Sequence, residues 1–146
     1  MLLPDVNVLI YAHRAESPEH AAHARWLTDT ATGPEPFGLS ELVLSGVVRI
    51  VTNPRVFKTP TPLETALAFV EALLRCPNAV RLRCGPRHFD IFEELCRQTH
   101  ASGKLVADAY HAALAIEHGC EWVSTDADFG RFPNLRVRHP LHPRAR

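Results

Sequence analysis

The sequence predicts an α/β fold with a short, mainly parallel central sheet. Three observations carry that expectation. Brief apolar runs at Leu2-Leu3, Phe37-Gly38-Leu39, 80–82 and Trp122-Val123-Ser124 read as short strands. Longer stretches between them place apolar residues three and four apart, the spacing of one helical face. Strands alternating with helices call for parallel pairing and right-handed crossovers. A chain of 146 residues suits one domain, 1–146, with a single core. Its 46% hydrophobic and 22% charged residues are ordinary for a globular protein. No apolar run approaches a membrane span and the first residues lack a basic leader, so no membrane association and a cytoplasmic location are expected.

Taken in order, residues 2–5 form a strand ending at Asp5, with Pro4 an awkward member because proline cannot donate to the ladder. Residues 6–13 read as a short helix. Ser17-Pro18 supplies an N-cap followed by proline at the first helical position, so a helix is expected from there to about Ala31, with Ala21, Ala24 and Leu27 on one face. Gly33-Pro34-Glu35-Pro36 is a turn, 37–39 a strand, and Ser40 caps a helix opening at Glu41. Leu42, Val43, Val47, Ile50 and Val51 give that helix its apolar face, and Asn53-Pro54 stops it. Thr61-Pro62-Leu63-Glu64 has capping-box spacing and opens a helix to about Arg75. After the strand at 80–82, Gly85-Pro86 breaks the chain. Helices follow at about 87–98, with Phe89, Phe92 and Leu95 on one side, and at about 105–118, closed by Gly119. Residues 122–124 form the fourth strand and 135–137 a fifth.

Cys76, Cys84, Cys96 and Cys120 form no C-x-x-C pair and read as reduced, partly buried thiols. Nine histidines include no H-E-x-x-H, so zinc is not expected. Net charge is zero, which argues against indiscriminate nucleic-acid binding by the whole molecule. After Asp128, however, the chain has no acid. Arg131, Arg136, Arg138, Arg144 and Arg146 make a basic segment at about 131–146, either a solubilising tail or a phosphate-facing rim.

Four acids dominate the functional reading: Asp5, Glu41, Asp108 and Asp126. Each lies just past a strand or in the first turns of a helix, positions that converge on the carboxyl edge of an open α/β sheet. Each has a bland alternative. Asp5 could cap the helix after it, Glu41 could answer a helix dipole, and Asp126 could make an Asx-turn. Asp108 lies in or beside the buried stripe of its helix, where a carboxylate needs an arginine or a metal. Together the four repel one another unless cations bind between them. Mg²⁺, with Mn²⁺ as the alternative and one or two ions, fits this oxygen-rich set, and with it phosphate chemistry. Asp5 and Asp108 are the expected principal ligands, with Glu41 and Asp126 completing the site directly or through water. Asn7 and Thr125 are short polar neighbours able to orient carboxylates or hold water, and Asp128 belongs to the turn or the periphery. Arg131, Arg136 and Arg138 are the candidate phosphate contacts.

These segments resemble a known family. Asp5-Val6-Asn7-Val8-Leu9-Ile10-Tyr11-Ala12 resembles the first motif of PIN-domain proteins, and 105–115 (Leu-Val-Ala-Asp-Ala-Tyr-His-Ala-Ala-Leu-Ala) resembles their third. Ser124-Thr125-Asp126-Ala127-Asp128-Phe129 resembles the fourth, and Glu41 falls in the interval of the second acid. Val6 stands where threonine or serine is frequent. Within that family the chain looks most like a VapC toxin. The resemblance implies a three-layer α/β/α fold, Mg²⁺- or Mn²⁺-dependent endoribonuclease activity, a homodimer, and neutralisation by a VapB-type antitoxin. Single-stranded or structured RNA, transfer or ribosomal RNA included, is the expected substrate.

Rival readings are an aspartyl phosphatase or phosphoreceiver, a catalytically silent PIN module that binds RNA or protein, and a PIN nuclease for RNA processing outside a toxin system. The first would ordinarily show D-x-D after its opening strand, where this chain has Asp5-Val6-Asn7.

Overall fold

The computed structural model describes residues 1–142; Arg144 and Arg146 lie outside the described residues. Five strands form one sheet in the order β3-β2-β1-β4-β5, parallel throughout. They are β1 (Leu2–Pro4), β2 (Phe37–Ser40), β3 (Ala79–Leu82), β4 (Glu121–Val123) and β5 (Arg136–Arg138). Flanking them are α1 (Val6–His13), α2 (His20–Thr32), α3 (Glu41–Val51), α4 (Leu63–Leu74), α5 (His88–Thr99) and α6 (Lys104–Glu117). A short 3₁₀ turn, Ala127–Arg131, joins β4 to β5.

The central strands β1, β2 and β4 are buried because helices cover them, as parallel crossovers require, while the edge strands β3 and β5 stay partly accessible. Leu3, Phe37, Leu39, Trp122 and Val123 are almost wholly inaccessible. Val43, Val47 and Val51 of α3 and Ala109, Ala112 and Ala113 of α6 supply the facing helical stripes. Small residues on α6 let it lie close to the sheet. Gly46 of α3 has a comparable role: a Cβ there would meet Val6 Cγ2 at 3.2 Å, so its absence lets α3 close on the start of α1, directly after Asp5. Gly103 takes φ +57 immediately before α6, a backbone turn that an L side chain would resist.

Several boundaries differ from expectation. Helix α2 begins at His20, not at Ser17-Pro18. Ser17 and His20 belong to turns whose amides bond to Arg14 O and Ser17 O, and Glu19 takes a left-handed φ of 52° before the helix starts. Thr61 caps no helix. Its buried hydroxyl accepts from Arg14 Nη1 at 3.1 Å and pairs with His13 Nε2 at 3.1 Å, fastening the loop before α4 to the end of α1. Phe89 does not join the core; it is 59% exposed, while Leu95 of the same helix is buried. The fifth strand is 136–138, one residue later than expected. The four thiols are unpaired, Cys120 buried and Cys84 exposed. No helix among the described residues is long and apolar enough to cross a membrane.

Candidate active site between β1 and β4

From β1 the chain proceeds through β2 to β3 on one side of the sheet; β4 and β5 lie on the other. The carboxyl ends of β1 and β4 therefore flank a topological switch point, where the two halves diverge and leave a crevice. Pro4 is in register with Val123, and the next residues are Asp5 and Ser124. Asp5 N donates to Val123 O at 2.9 Å, which continues the pairing one step beyond the strand.

Ser124 is the hub of the crevice. Its buried hydroxyl donates to Asp5 Oδ2 at 2.6 Å and accepts from the Asp126 amide at 3.0 Å and from Asn7 Nδ2 at 3.4 Å. The other oxygen of Asp5 accepts from Val6 N at 2.6 Å and caps α1. Asp126 Oδ1 accepts from Asp128 N at 2.9 Å and caps the 3₁₀ turn. The capping roles are thus real, and the Ser124 hydroxyl at the same time links Asp5 to the backbone of Asp126. Asp108, buried on the second turn of α6, joins them through Lys104, its neighbour one helical turn earlier. Lys104 Nζ lies 3.3 Å from Asp108 Oδ2 and 2.6 Å from Asp126 Oδ2.

Burial sets the electrostatics. It pushes the Asp5 carboxyl up to about 6, against the hydrogen bonds from Ser124 and Val6; the charges of Asp108 and Asp126 push it further the same way. Burial also raises Asp108, with Lys104 opposing and Asp126 and Asp128 adding to the rise. Asp126 is held below the usual range by its hydrogen bond to Lys104. Lys104 is raised, chiefly by Asp126. Asp108 and Asp126 thus share one ammonium, and Asp5, among the described residues, is held by Ser124 and Val6 alone, which leaves the three acids short of positive charge.

That deficit suits a small hard cation. Asp5, Asp108 and Asp126 offer only oxygen, the donor type Mg²⁺ and Mn²⁺ prefer. Asn7 Oδ1 adds a buried acceptor that has no hydrogen-bond partner among the described residues. As the side chains stand, no group of three or more histidine, cysteine or acidic residues among the described residues is spaced to enclose an ion. Lys104 stands between Asp108 and Asp126, so an entering cation has to move it.

Glu41 follows a different course. Ser40 is in register with Leu82, so the next residues, Glu41 and Arg83, are neighbours. Glu41 Oε1 accepts from Arg83 Nη2 at 2.9 Å and Nε at 3.0 Å, and Arg81 Nη1 is 3.6 Å away. The Arg83 hydrogen bond holds Glu41 below the usual carboxylate range. Glu41 thus shares the sheet edge with the other acids but is exposed and tied to arginines.

Among the remaining candidates, Thr125 is half-buried next to Ser124, which makes the hydrogen bonds. Asp128 is exposed and acts on Asp108 through space. Arg131 is exposed. The Arg136 guanidinium donates to Gly119 O, and Arg138 pairs with Glu121 at 2.9 Å, beside a hollow at the amino ends of the strands. Ser124, Lys104 and Arg83 had been given no role from sequence. Lys104 could have been found from its four-residue spacing to Asp108. Ser124 and Arg83 become apparent only once strand register is known.

A PIN-domain family model matches residues 2–135 of the chain. This places the chain in the class of PIN-domain proteins. The chain is 49% identical over 141 residues to ribonuclease VapC43 of Mycobacterium tuberculosis, covering 97% of this chain and 96% of that one. It is 41% identical over 142 residues to ribonuclease VapC25 of the same organism, covering 97% and 100%. Its fold matches a chain in the crystal structure of VapBC2 from Rickettsia felis bound to a DNA fragment from their promoter, with a TM-score of 0.70 over 94% of this chain and 97% of that one, at 18% identity. The chain belongs to the VapC family of PIN-domain ribonucleases.

Proposed function

We propose that this protein is the toxin of a type II toxin–antitoxin pair, an endoribonuclease that hydrolyses RNA phosphodiesters at the β1/β4 crevice with a divalent cation, Mg²⁺ or Mn²⁺. The observation that carries the reading is the Asp5–Ser124–Asp126–Lys104–Asp108 network, in which buried carboxylates outnumber their cation. Asp5 and Asp108 are the principal ligands and Asp126 the third, for one ion or two. When bound, the cation supplies Lewis acidity to water and phosphate and offsets charge on the leaving oxygen.

The chain's own residues do the rest. Ser124 fixes the Asp5 carboxylate, so the ligand is oriented before the cation arrives. Asn7 offers its free Oδ1 to water at the site, and Thr125 and Asp128 line its margin. Lys104, once displaced, remains close enough to meet an incoming phosphate. Glu41 serves the substrate side of the site. Arg131, at the end of the 3₁₀ turn, is the nearest of the three proposed C-terminal arginine contacts to Asp126 in sequence; Arg136 and Arg138 would have to leave Gly119 and Glu121 to meet RNA.

Single-stranded or looped RNA is the substrate class, because its bases and backbone can be splayed into a cleft. The partner is a VapB-type antitoxin. An apolar groove between α3 and α4, lined by Leu44, Val48, Leu67, Val70 and Leu74, has Glu41, Arg49 and Arg81 at its rim. It fits an apolar antitoxin segment carrying an arginine for Glu41. A homodimer in the cytoplasm completes the proposal.

The test is cleavage of total cellular RNA by purified protein with Mg²⁺, with EDTA, and with Asp5→Asn. Discrete fragments are expected only from wild type with metal. Equal cleavage by Asp5→Asn, or cleavage that persists in EDTA, would move the chemistry elsewhere.

A further inference from the structure

We propose that the cavity beside Glu41 is a nucleotide subsite, in which one RNA base next to the cut is held while Arg83 takes the adjoining phosphate. This rests on the RNA-cleaving reading above. The cavity, of about 300 Å³, lies where the ends of β2 and β3 meet α6, and its walls include Glu41, Leu82, Arg83, Cys84, Tyr110 and His111. It is large enough for a planar heterocycle and combines apolar walls with a few polar groups, the usual make-up of a small-ligand site.

His111 follows Asp108 by three residues, so the cavity begins one helical turn, about 5 Å along the axis, from a proposed metal ligand. That offset is comparable to the reach of one nucleotide. The His111 ring stacks on Trp122, with centroids 5.4 Å apart, which fixes its plane. Burial holds its pKa down at about 4, so the imidazole is neutral near pH 7 and presents one donor and one acceptor. Its Nδ1 is buried with no hydrogen-bond partner among the described residues. A neutral, fixed ring with unused hydrogen-bonding capacity suits a base edge better than a phosphate. Tyr110 presents a second ring, its hydroxyl accepting from the exposed Cys84 thiol at 3.4 Å.

The phosphate falls to Arg83. Its side chain is 70% exposed and turns both Nε and Nη2 onto Glu41 Oε1. A phosphodiester presents the same pair of acceptors as a carboxylate, so it can exchange for Glu41 on the guanidinium. Arg81, 3.6 Å from the same oxygen, adds a second positive charge. The exchange frees Glu41 only when RNA is in place, which makes the second acid of this chain dependent on substrate.

Two measurements test this. In an Asp5→Asn background, binding of a fluorescent mixed-sequence single-stranded RNA is followed against salt for Arg83 and for Arg83→Ala. Loss of one phosphate contact should lower the log–log salt slope by about 0.7. With Asp5 intact, Cys84→Trp fills the cavity from its exposed rim, and the ends of fragments cut from total RNA are mapped. A changed base preference at a single position beside the cut, with an unchanged Tm, is the expected result. A wild-type slope for Arg83→Ala together with a wild-type fragment map for Cys84→Trp removes the subsite but leaves the nuclease. Wild-type protein that neither binds nor cuts RNA removes both.

Discussion

The two ends of β1 and β2 place an acid at equivalent positions with opposite consequences. Asp5 follows β1 and meets Ser124 across the ladder, while Glu41 follows β2 and meets Arg83. Asp5 is buried, pushed up to about 6 and surrounded by other acids; Glu41 is exposed and held low by a guanidinium. A carboxylate already satisfied by arginine has little to gain from a metal ion. A desolvated one beside two others has much to gain. The difference is the ground for proposing the metal at the β1/β4 crevice and the substrate backbone beside β2 and β3.

The largest effect is expected from the crevice itself. Asp5→Asn and Asp108→Asn should each lower cleavage by at least about 10²–10³-fold, the scale for losing a group that stabilises transition-state charge. Circular dichroism checks that the fold survives, and activity near wild type in either variant would dissolve the contrast. Next comes Ser124→Ala, which leaves every proposed ligand in place but frees Asp5 to rotate. Metal affinity, measured by titration, should fall by roughly 10–100-fold.

A third expectation concerns pH. Asp5 titrates near 6 in the folded, metal-free protein against an ordinary value of 3.8, so its contribution to stability is fully present below about pH 3.8 and is lost as pH rises through 6. Asp5→Asn should therefore gain about 1–3 kcal/mol over wild type at pH 7.5 and little at pH 3.5, in urea unfolding with a chelator present. An equal difference at both values would mean that burial does not strain Asp5. Lys104→Met should have a smaller effect. With its counter-charge gone, the metal-free protein should melt lower, and Mg²⁺ should raise Tm by more than in wild type, because the cation no longer competes with an ammonium.

The legibility of the sequence followed how local each cause was. The strand–helix alternation, the placing of acids after strands and the Val43, Val47 and Val51 stripe of α3 depend on neighbours in sequence and were readable, although Leu42, expected on that stripe, is exposed. So was the helical setting of Asp108, whose three- and four-residue neighbours Leu105 and Ala112 pack against or within the core. What the sequence did not disclose depends on distant partners. Ser17-Pro18 has the chemistry of a helix start, but the chain turns first and enters α2 through a left-handed Glu19. Thr61 has the spacing of a cap, yet Arg14 and His13, nearly fifty residues earlier, engage its hydroxyl. The pairing of Glu41 with Arg83 rests on the β2/β3 register, which no local pattern specifies. Grouping all four acids in one pocket was therefore natural from sequence, and in the structure the fourth stands one strand away with its own partners.

Calorimetric titration of Mg²⁺ or Mn²⁺ into wild type, Asp5→Asn and Glu41→Gln, without RNA, tests this division most directly. Binding should be lost in Asp5→Asn and retained at wild-type affinity in Glu41→Gln. Binding that survives Asp5→Asn and disappears in Glu41→Gln would place the metal beside β2 and β3 and contradict the division.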